Sequence, residues 1–215
     1  MKNWFQISAL AMAGAVSSLA APDPAKSARC VHRYNLAGVA PSTAENATKQ
    51  VTRIFGKAGI AIRWEQLPTG SPEAHELDLN DSAANLLPSD EHPCLVVKIT
   101  QELPPGVYPR ALGFAVPGAR FGIDVELVYR RIKSQADTDG SGVDVVLAYA
   151  MAHEIGHVLL RSSGHSLSGI MQAQCNAETW RLASSGMVAF LPDEAKQMRK
   201  GLSRFKQDAA PTRSF

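Results

Sequence analysis

The residues best suited to chemistry are two histidines and a glutamate in the stretch His153-Glu154-Ile155-Gly156-His157. Side chains four residues apart on a helix lie on one face, one turn apart, so both imidazoles can bind a single cation. Neutral imidazole is a common zinc ligand, and zinc lowers the pKa of a bound water toward about 7. Glu154 stands beside that water, where a carboxylate can take its proton during attack on a carbonyl carbon. The spacing therefore predicts a hydrolytic zinc site with Glu154 as its general base.

The residues around this motif are apolar, at 150–152 before it and 158–160 after it, which predicts a buried helix. Burying two imidazoles and a carboxylate without partners is costly, whereas metal binding satisfies the imidazoles. Two other interpretations of the helix remain, a zinc-binding module without turnover and a metal-free structural domain. An intact Glu154 favours turnover, because a site that only holds zinc does not need the base.

A third protein ligand has two candidates downstream. His165 follows directly on Gly164, which is predicted to end the helix in the left-handed conformation and to turn the chain back toward the metal. Glu178 lies 21 residues beyond His157, at a distance typical of peptidases that take a glutamate ligand from a second helix. Both side chains can bind zinc, so the residue types leave the choice open.

After His165 the chain continues as Ser-Leu-Ser-Gly-Ile-Met, a turn that closes on Met171. At this point the sequence resembles the metzincin superfamily of zinc peptidases, in particular its bacterial members of matrix-metallopeptidase type. The resemblance implies a secreted zinc-dependent endopeptidase and favours a histidine over Glu178 as the third ligand. The implied site consists of the ligands His153, His157 and His165, the base Glu154, and Met171 as a hydrophobic floor beneath the metal.

The same resemblance implies that an antiparallel edge strand, here residues 111–116, binds a peptide or protein substrate in extended form. The substrate-binding residues would be Leu112, Gly113, Phe114 and Ala115. It also makes the strands that begin at Cys30 and Cys94 neighbours in the sheet, so these two cysteines are expected to pair and to leave Cys175 free.

The match departs from the metzincin pattern in its spacing. The third histidine lies eight residues beyond the second instead of six, and Leu160 stands where a glycine is usual. Two additional residues of helix before a turn at Gly164 would account for the difference. The alternative site with Glu178 would require residues 176–182 to form a helix packed across the first one.

The remaining elements follow from periodicity. Strands are predicted within 30–36, 60–65, 94–100, 111–116 and 123–129. Helices are predicted from a capping box at Ser42 and Glu45 to residue 58, from Val143 to about Arg161, and from Pro192 onward. The segment 68–93 is polar and is predicted to be a long surface loop.

This order predicts a mixed α/β (α+β) fold with a largely parallel sheet. Together with the resemblance, it indicates a metzincin-like domain built on a twisted, mostly parallel five-stranded sheet with an antiparallel edge strand. A backing helix, an active-site helix and a C-terminal helix complete it.

The 215 residues have an ordinary globular composition, so one domain is expected. Lys2, the apolar stretch 7–16, and Ser18 and Ala20 at a cleavage site are typical of a signal peptide over 1–20. Residues 21–215 would then form a single catalytic domain that is secreted or periplasmic. The net charge of +2 argues against a nucleic-acid partner, and the short apolar run argues against stable membrane insertion.

The other histidines and the cysteines are predicted to lie outside the chemistry. His32, His75 and His92 are interpreted as surface or otherwise satisfied side chains. An exported chain permits disulfides, but three cysteines allow one internal bridge at most. A metal role for the cysteines is disfavoured, because no two of them have ligand spacing.

Overall fold

The computed structural model describes residues 29–65, 94–103, 111–116 and 125–208, with side chains as far as residue 202. The expected signal peptide and the predicted loop 68–93 lie outside the described residues, and so do His75 and His92.

Within these residues the chain forms one five-stranded sheet. Its strands are β1 (Arg29–Asn35), β2 (Ile62–Glu65), β3 (Leu95–Thr100), β4 (Gly113–Ala115) and β5 (Val125–Val128). They lie in the order β2-β1-β3-β5-β4. The pairs β1–β2, β1–β3 and β3–β5 are parallel, and β4 runs antiparallel to β5 at the edge. The predicted mixed α/β fold with a mostly parallel sheet and an antiparallel edge strand is confirmed.

The two faces of the sheet have different surroundings. On the inner face, apolar side chains in register across β1, β3 and β5 enter the hydrophobic core; they are Val31, Leu95, Val97, Ile99, Val125 and Leu127. The outer face alternates with it and is more polar, with Lys98 and Glu126 paired at 3.6 Å. Period-two alternation sorts the strand residues between these faces.

Five helices lie within the described residues: α1 (Pro41–Lys57), α2 (Tyr129–Asp139), α3 (Val143–Leu160), α4 (Ala177–Ser184) and α5 (Pro192–Asp208). The backing helix α1 and the site helix α3 pack against each other and contribute to the same core as the inner face of the sheet. Helix α5 starts at Pro192, as predicted, and packs against α3.

The start of α1 differs from the predicted capping box. The helix begins at Pro41, with Ala40 as an N-cap that makes no side-chain bond. Glu45 pairs with Lys49 one turn later at 2.6 Å and does not reach back to Ser42. Proline supplies the helical φ at the first position, so this helix starts without a side-chain cap.

Helix α2 was not predicted, because the strand pattern of residues 123–129 runs directly into it. Tyr129 continues the alternation of Val125 and Leu127, yet it is the first residue of the helix. Only Ile132 and Ala136, four residues apart, are buried on α2. Gly140 ends the helix at φ 63°, in the left-handed region where glycine is favoured.

Cys30 and Cys94 form a disulfide. The register that pairs Val31 with Leu95 brings the preceding residues of the two strands side by side. The same two cysteines were expected to pair from the resemblance. Cys175 is free and half-buried.

Candidate metal centre

Helix α3 carries the two motif histidines through the centre of the molecule. Its length and apolar composition would suffice for a membrane span, but 72% of it is buried inside the molecule. Such a helix is hydrophobic all round because the sheet and other helices cover it. His153 and His157 therefore stand on a rigid element, with His157 only 6% exposed.

The imidazoles of His153 and His157 are oriented by backbone carbonyls. The Nδ1 atom of His153 lies 2.8 Å from the Ile170 oxygen, and that of His157 lies 2.7 Å from the Ser162 oxygen. A carbonyl can only accept, so each Nδ1 carries the proton and each Nε2 keeps a lone pair. The two Nε2 atoms face each other at 3.1 Å. Two lone pairs at that distance repel each other unless a cation lies between them, and a metal ion fits this arrangement.

Burial keeps both rings neutral at physiological pH. Desolvation and, to a smaller extent, the neighbouring histidines lower the pKa of His153 to about 4, against the opposing effect of its bond to Ile170. Burial also lowers the pKa of His157. Neutral imidazole is the form that binds a metal.

His165 completes the cluster, although the turn that brings it there is not the predicted one. Helix α3 ends at Leu160, and Arg161 takes the left-handed conformation at φ 52°, with no positive φ at Gly164. The predicted extension of the helix is therefore wrong, and the two additional residues lie in the loop. The His165 ring stacks on His153 at 5.3 Å between centroids and meets His157 edge-on at 4.9 Å.

Metal-ligating atoms of the three histidines lie within 4.8 Å of one another. Among the described residues this group does not include Glu178. The helix that the alternative site required does form as α4, capped by Asn176. Glu178 is nevertheless exposed there and pairs with Arg181 at 2.6 Å. The structure thus brings His165, and not Glu178, to the two motif histidines.

Glu154 lies between α3 and the edge of the sheet. Glu154 is 8% exposed, and burial raises its pKa to about 7. A Cβ on Gly113 of β4 would lie 3.2 Å from the Glu154 Cγ atom and 2.6 Å from a Leu127 methyl group. Glycine therefore lets the edge strand approach the glutamate closely.

Of the four residues expected to bind substrate, Gly113, Phe114 and Ala115 form β4. Leu112 lies just before this strand, and its carbonyl oxygen accepts a hydrogen bond from the Val128 amide.

Met171 is fully buried beneath α3. A Cβ on Gly156 would stand 2.6 Å from the Met171 sulfur and 2.9 Å from the Phe190 ring. The glycine between the two histidines is thus required for the helix to rest on Met171. The tight turn before Met171 is fixed by Tyr149, whose hydroxyl donates to the Gly169 oxygen at 3.0 Å, and by the Ile170 amide, which donates to Ala189.

Glu194 on α5 supports this turn from the other side, and the sequence patterns did not identify that role. One carboxylate oxygen accepts from the Ser166 hydroxyl, next to His165, and the other accepts from the Leu191 amide at 2.7 Å. The sequence patterns predicted only that a helix begins at Pro192. The bond to the Leu191 amide could be predicted, because Glu194 lies three residues after Leu191, which is the spacing of a capping box. The bond to Ser166 could not, because it joins residues 28 positions apart.

Comparisons with known proteins find similar solved structures, and two archaemetzincins are among them. No protein-family model matches the sequence, and no curated protein matches it. The archaemetzincin from Methanopyrus kandleri is 16% identical, with a TM-score of 0.49 over 83% of this chain and 97% of that one. The archaemetzincin from Archaeoglobus fulgidus, complexed with malonate, is 18% identical, with a TM-score of 0.48 over 78% and 99%.

Proposed function

We propose that this chain is a zinc-dependent peptidase of metzincin type, with His153, His157 and His165 as zinc ligands and Glu154 as general base. The observation that carries the proposal is the pair of Nε2 atoms that face each other at 3.1 Å while both Nδ1 atoms are bonded to carbonyls. Without a cation, two buried acceptors would oppose each other. The third imidazole supplies another nitrogen at the same place.

Zinc bound there would polarise a substrate carbonyl and lower the pKa of a bound water toward about 7. Glu154 does the proton transfer. A carboxyl with a pKa of about 7 can take a proton from the attacking water and return it to the leaving amine nitrogen. Burial is the cause of that raised pKa.

A peptide or protein is the proposed substrate, because β4 is an edge strand directly beside Glu154. An extended chain can add to such an edge through backbone hydrogen bonds and present its amide to the site. Gly113 keeps the strand close enough to the base for this. Export through a signal peptide and the narrower likeness to bacterial matrix-metallopeptidase-type enzymes remain part of the proposal on sequence grounds alone.

The substitution Glu154→Gln tests the role of the base. We expect the variant to bind zinc with unchanged stoichiometry and to lose at least about 100-fold in kcat/KM on a mixed peptide library, because an amide cannot accept the proton. Metal content by atomic emission and cleavage by mass spectrometry are the two measurements.

Glu178→Gln is the matched control, since it makes the same change at an exposed glutamate outside the cluster. It should behave like the parent. Hydrolysis by Glu154→Gln at the parent rate would remove Glu154 as the base. Zinc binding by the parent without any turnover would reduce the chain to a zinc-binding module.

A further inference from the structure

The outer face of the sheet holds a second group of metal-ligating side chains, separate from the histidines of α3. It consists of Cys30 and His32 on β1, Glu65 on β2, and Cys94 just before β3; we call it the outer-face cluster. One donor atom from each of the four residues lies within 4.8 Å of the others. Strands β1 and β2 and the residue before β3 supply them. Cys30 and His32 point to one face, and the β1–β2 register sets His32 opposite Glu65.

His32 is the unusual member of the outer-face cluster. It is 4% exposed, and neither ring nitrogen has a hydrogen-bond partner among the described residues, so the interpretation as a surface or otherwise satisfied side chain is corrected. Its Nε2 atom lies 3.6 Å from Oε2 of Glu65, too far for a hydrogen bond. The other Glu65 oxygen pairs with Arg63 at 3.0 Å. A buried imidazole without a hydrogen bond at either nitrogen is costly and rare. Binding of a metal ion would give one of these nitrogens a partner.

The donor set suits zinc once the two sulfurs are thiolates. Two thiolates, one imidazole and one carboxylate are all normal zinc ligands. Bonds of about 2.0–2.3 Å in a tetrahedron place ligand atoms about 3.3–3.8 Å apart, and the present His32–Glu65 distance of 3.6 Å already satisfies this. Sulfurs bonded to each other are poor ligands, so the oxidised cluster offers only His32 and Glu65.

We propose that reduction of the Cys30–Cys94 disulfide converts the outer-face cluster into a second zinc site, whose ligands are the two cysteine thiolates, the histidine and the glutamate. A dithiol reductant supplies two electrons and two protons and becomes a disulfide itself, while Cys30 and Cys94 become thiols. Zinc then binds as both thiol protons leave for solvent. The site is thus a redox-dependent switch of metal content, and it does not rest on the peptidase function.

The test compares zinc content before and after reduction, in the full chain that carries Cys175→Ser so that the free thiol cannot contribute. Reduction with a phosphine, which converts the disulfide and water to two thiols and phosphine oxide, should raise bound zinc by one equivalent. Cobalt(II) should add a thiolate-to-cobalt charge-transfer band only after reduction, because the histidine cluster contains no sulfur. The rise by one equivalent is expected whether or not the histidine cluster binds zinc.

His32→Ala and Glu65→Gln keep the disulfide for folding and should each weaken binding of the added equivalent at least tenfold after reduction. Tyr34→Phe, two residues from His32 on the same strand, is the matched control and should leave the cobalt band unchanged. A reduced protein that stays folded without additional zinc or a cobalt band would overturn the proposal. Unfolding of the reduced chain in excess zinc, or an unchanged affinity in His32→Ala, would overturn it equally.

Discussion

At the scale of single residues, the centre depends on the close approach of α3 to the Met171 floor. Gly156 permits that approach, because a Cβ at this position would lie less than 3.0 Å from the Met171 sulfur and the Phe190 ring. We expect Gly156→Ala to lower the free energy of unfolding by about 1–3 kcal/mol, the usual cost of overpacking a core. Urea unfolding monitored by circular dichroism measures it.

Gly56→Ala is the control for this prediction, because Gly56 also lies in a helix but has nothing within 4 Å of the new methyl group. It should leave stability unchanged or raise it by up to about 1 kcal/mol, as alanine is the better helix former. Equal stability losses at the two glycines would show that packing on Met171 is not the cause.

The third ligand is also a question of one residue. His165→Ala should lower zinc affinity by at least about 100-fold, since even residues that only orient a ligand commonly cost about 10- to 100-fold. Glu178→Ala should leave the affinity nearly unchanged, because Glu178 pairs with Arg181 on the exposed side of α4. A chelator-competition titration measures both, and the opposite pattern would assign the ligand to Glu178.

At the scale of elements, α5 positions the loop that carries His165. Glu194 joins the first turn of this helix to Ser166, and the Ser166 amide donates to the Met171 oxygen at 2.8 Å. We expect Ser166→Ala and Glu194→Ala each to lower zinc affinity about tenfold, or about 1.4 kcal/mol. The double variant should be no worse than Glu194→Ala, because one bond is lost in both.

Ser168→Ala is the control, since Ser168 is exposed in the same turn. Glu194→Ala should additionally lose stability of about 1 kcal/mol, the usual cost of removing a helix cap, because the Leu191 amide loses its acceptor. Additive losses of zinc affinity in the double variant would mean that the two side chains act separately.

At the scale of the whole molecule, the disulfide closes a long part of the chain between β1 and β3. With a sequence separation of 64, the chain-entropy relation gives a contribution of about 4 kcal/mol. Replacing both Cys30 and Cys94 by serine should remove most of it in metal-free protein. Denaturant unfolding in a chelator measures this, with Cys175→Ser as the control that should change little; a loss equal to that control would contradict the prediction.

Local patterns were sufficient for most of the fold and for the central motif. In the core strands, buried and less buried residues alternate with period two, and α3 is long and apolar. In both cases the pattern of apolar residues indicates the secondary structure. The spacing of His153 and His157 on a helix places them together whatever surrounds them, because four residues are about one turn. Periodicity did not predict α2, because the mostly polar segment 130–139 has only two buried side chains.

Tertiary structure alone decided the contacts that join distant segments. Arg161 rather than Gly164 takes the left-handed conformation that leads toward His165, and the Ser162 oxygen just after it accepts a bond from Nδ1 of His157. Glu194 reaches Ser166 only through the docking of α5. The outer-face cluster could not be predicted from the spacing of ligands in the sequence, for the same reason. Strands distant in sequence become neighbours only when the sheet assembles, and that assembly places His32 beside Glu65, Cys30 and Cys94.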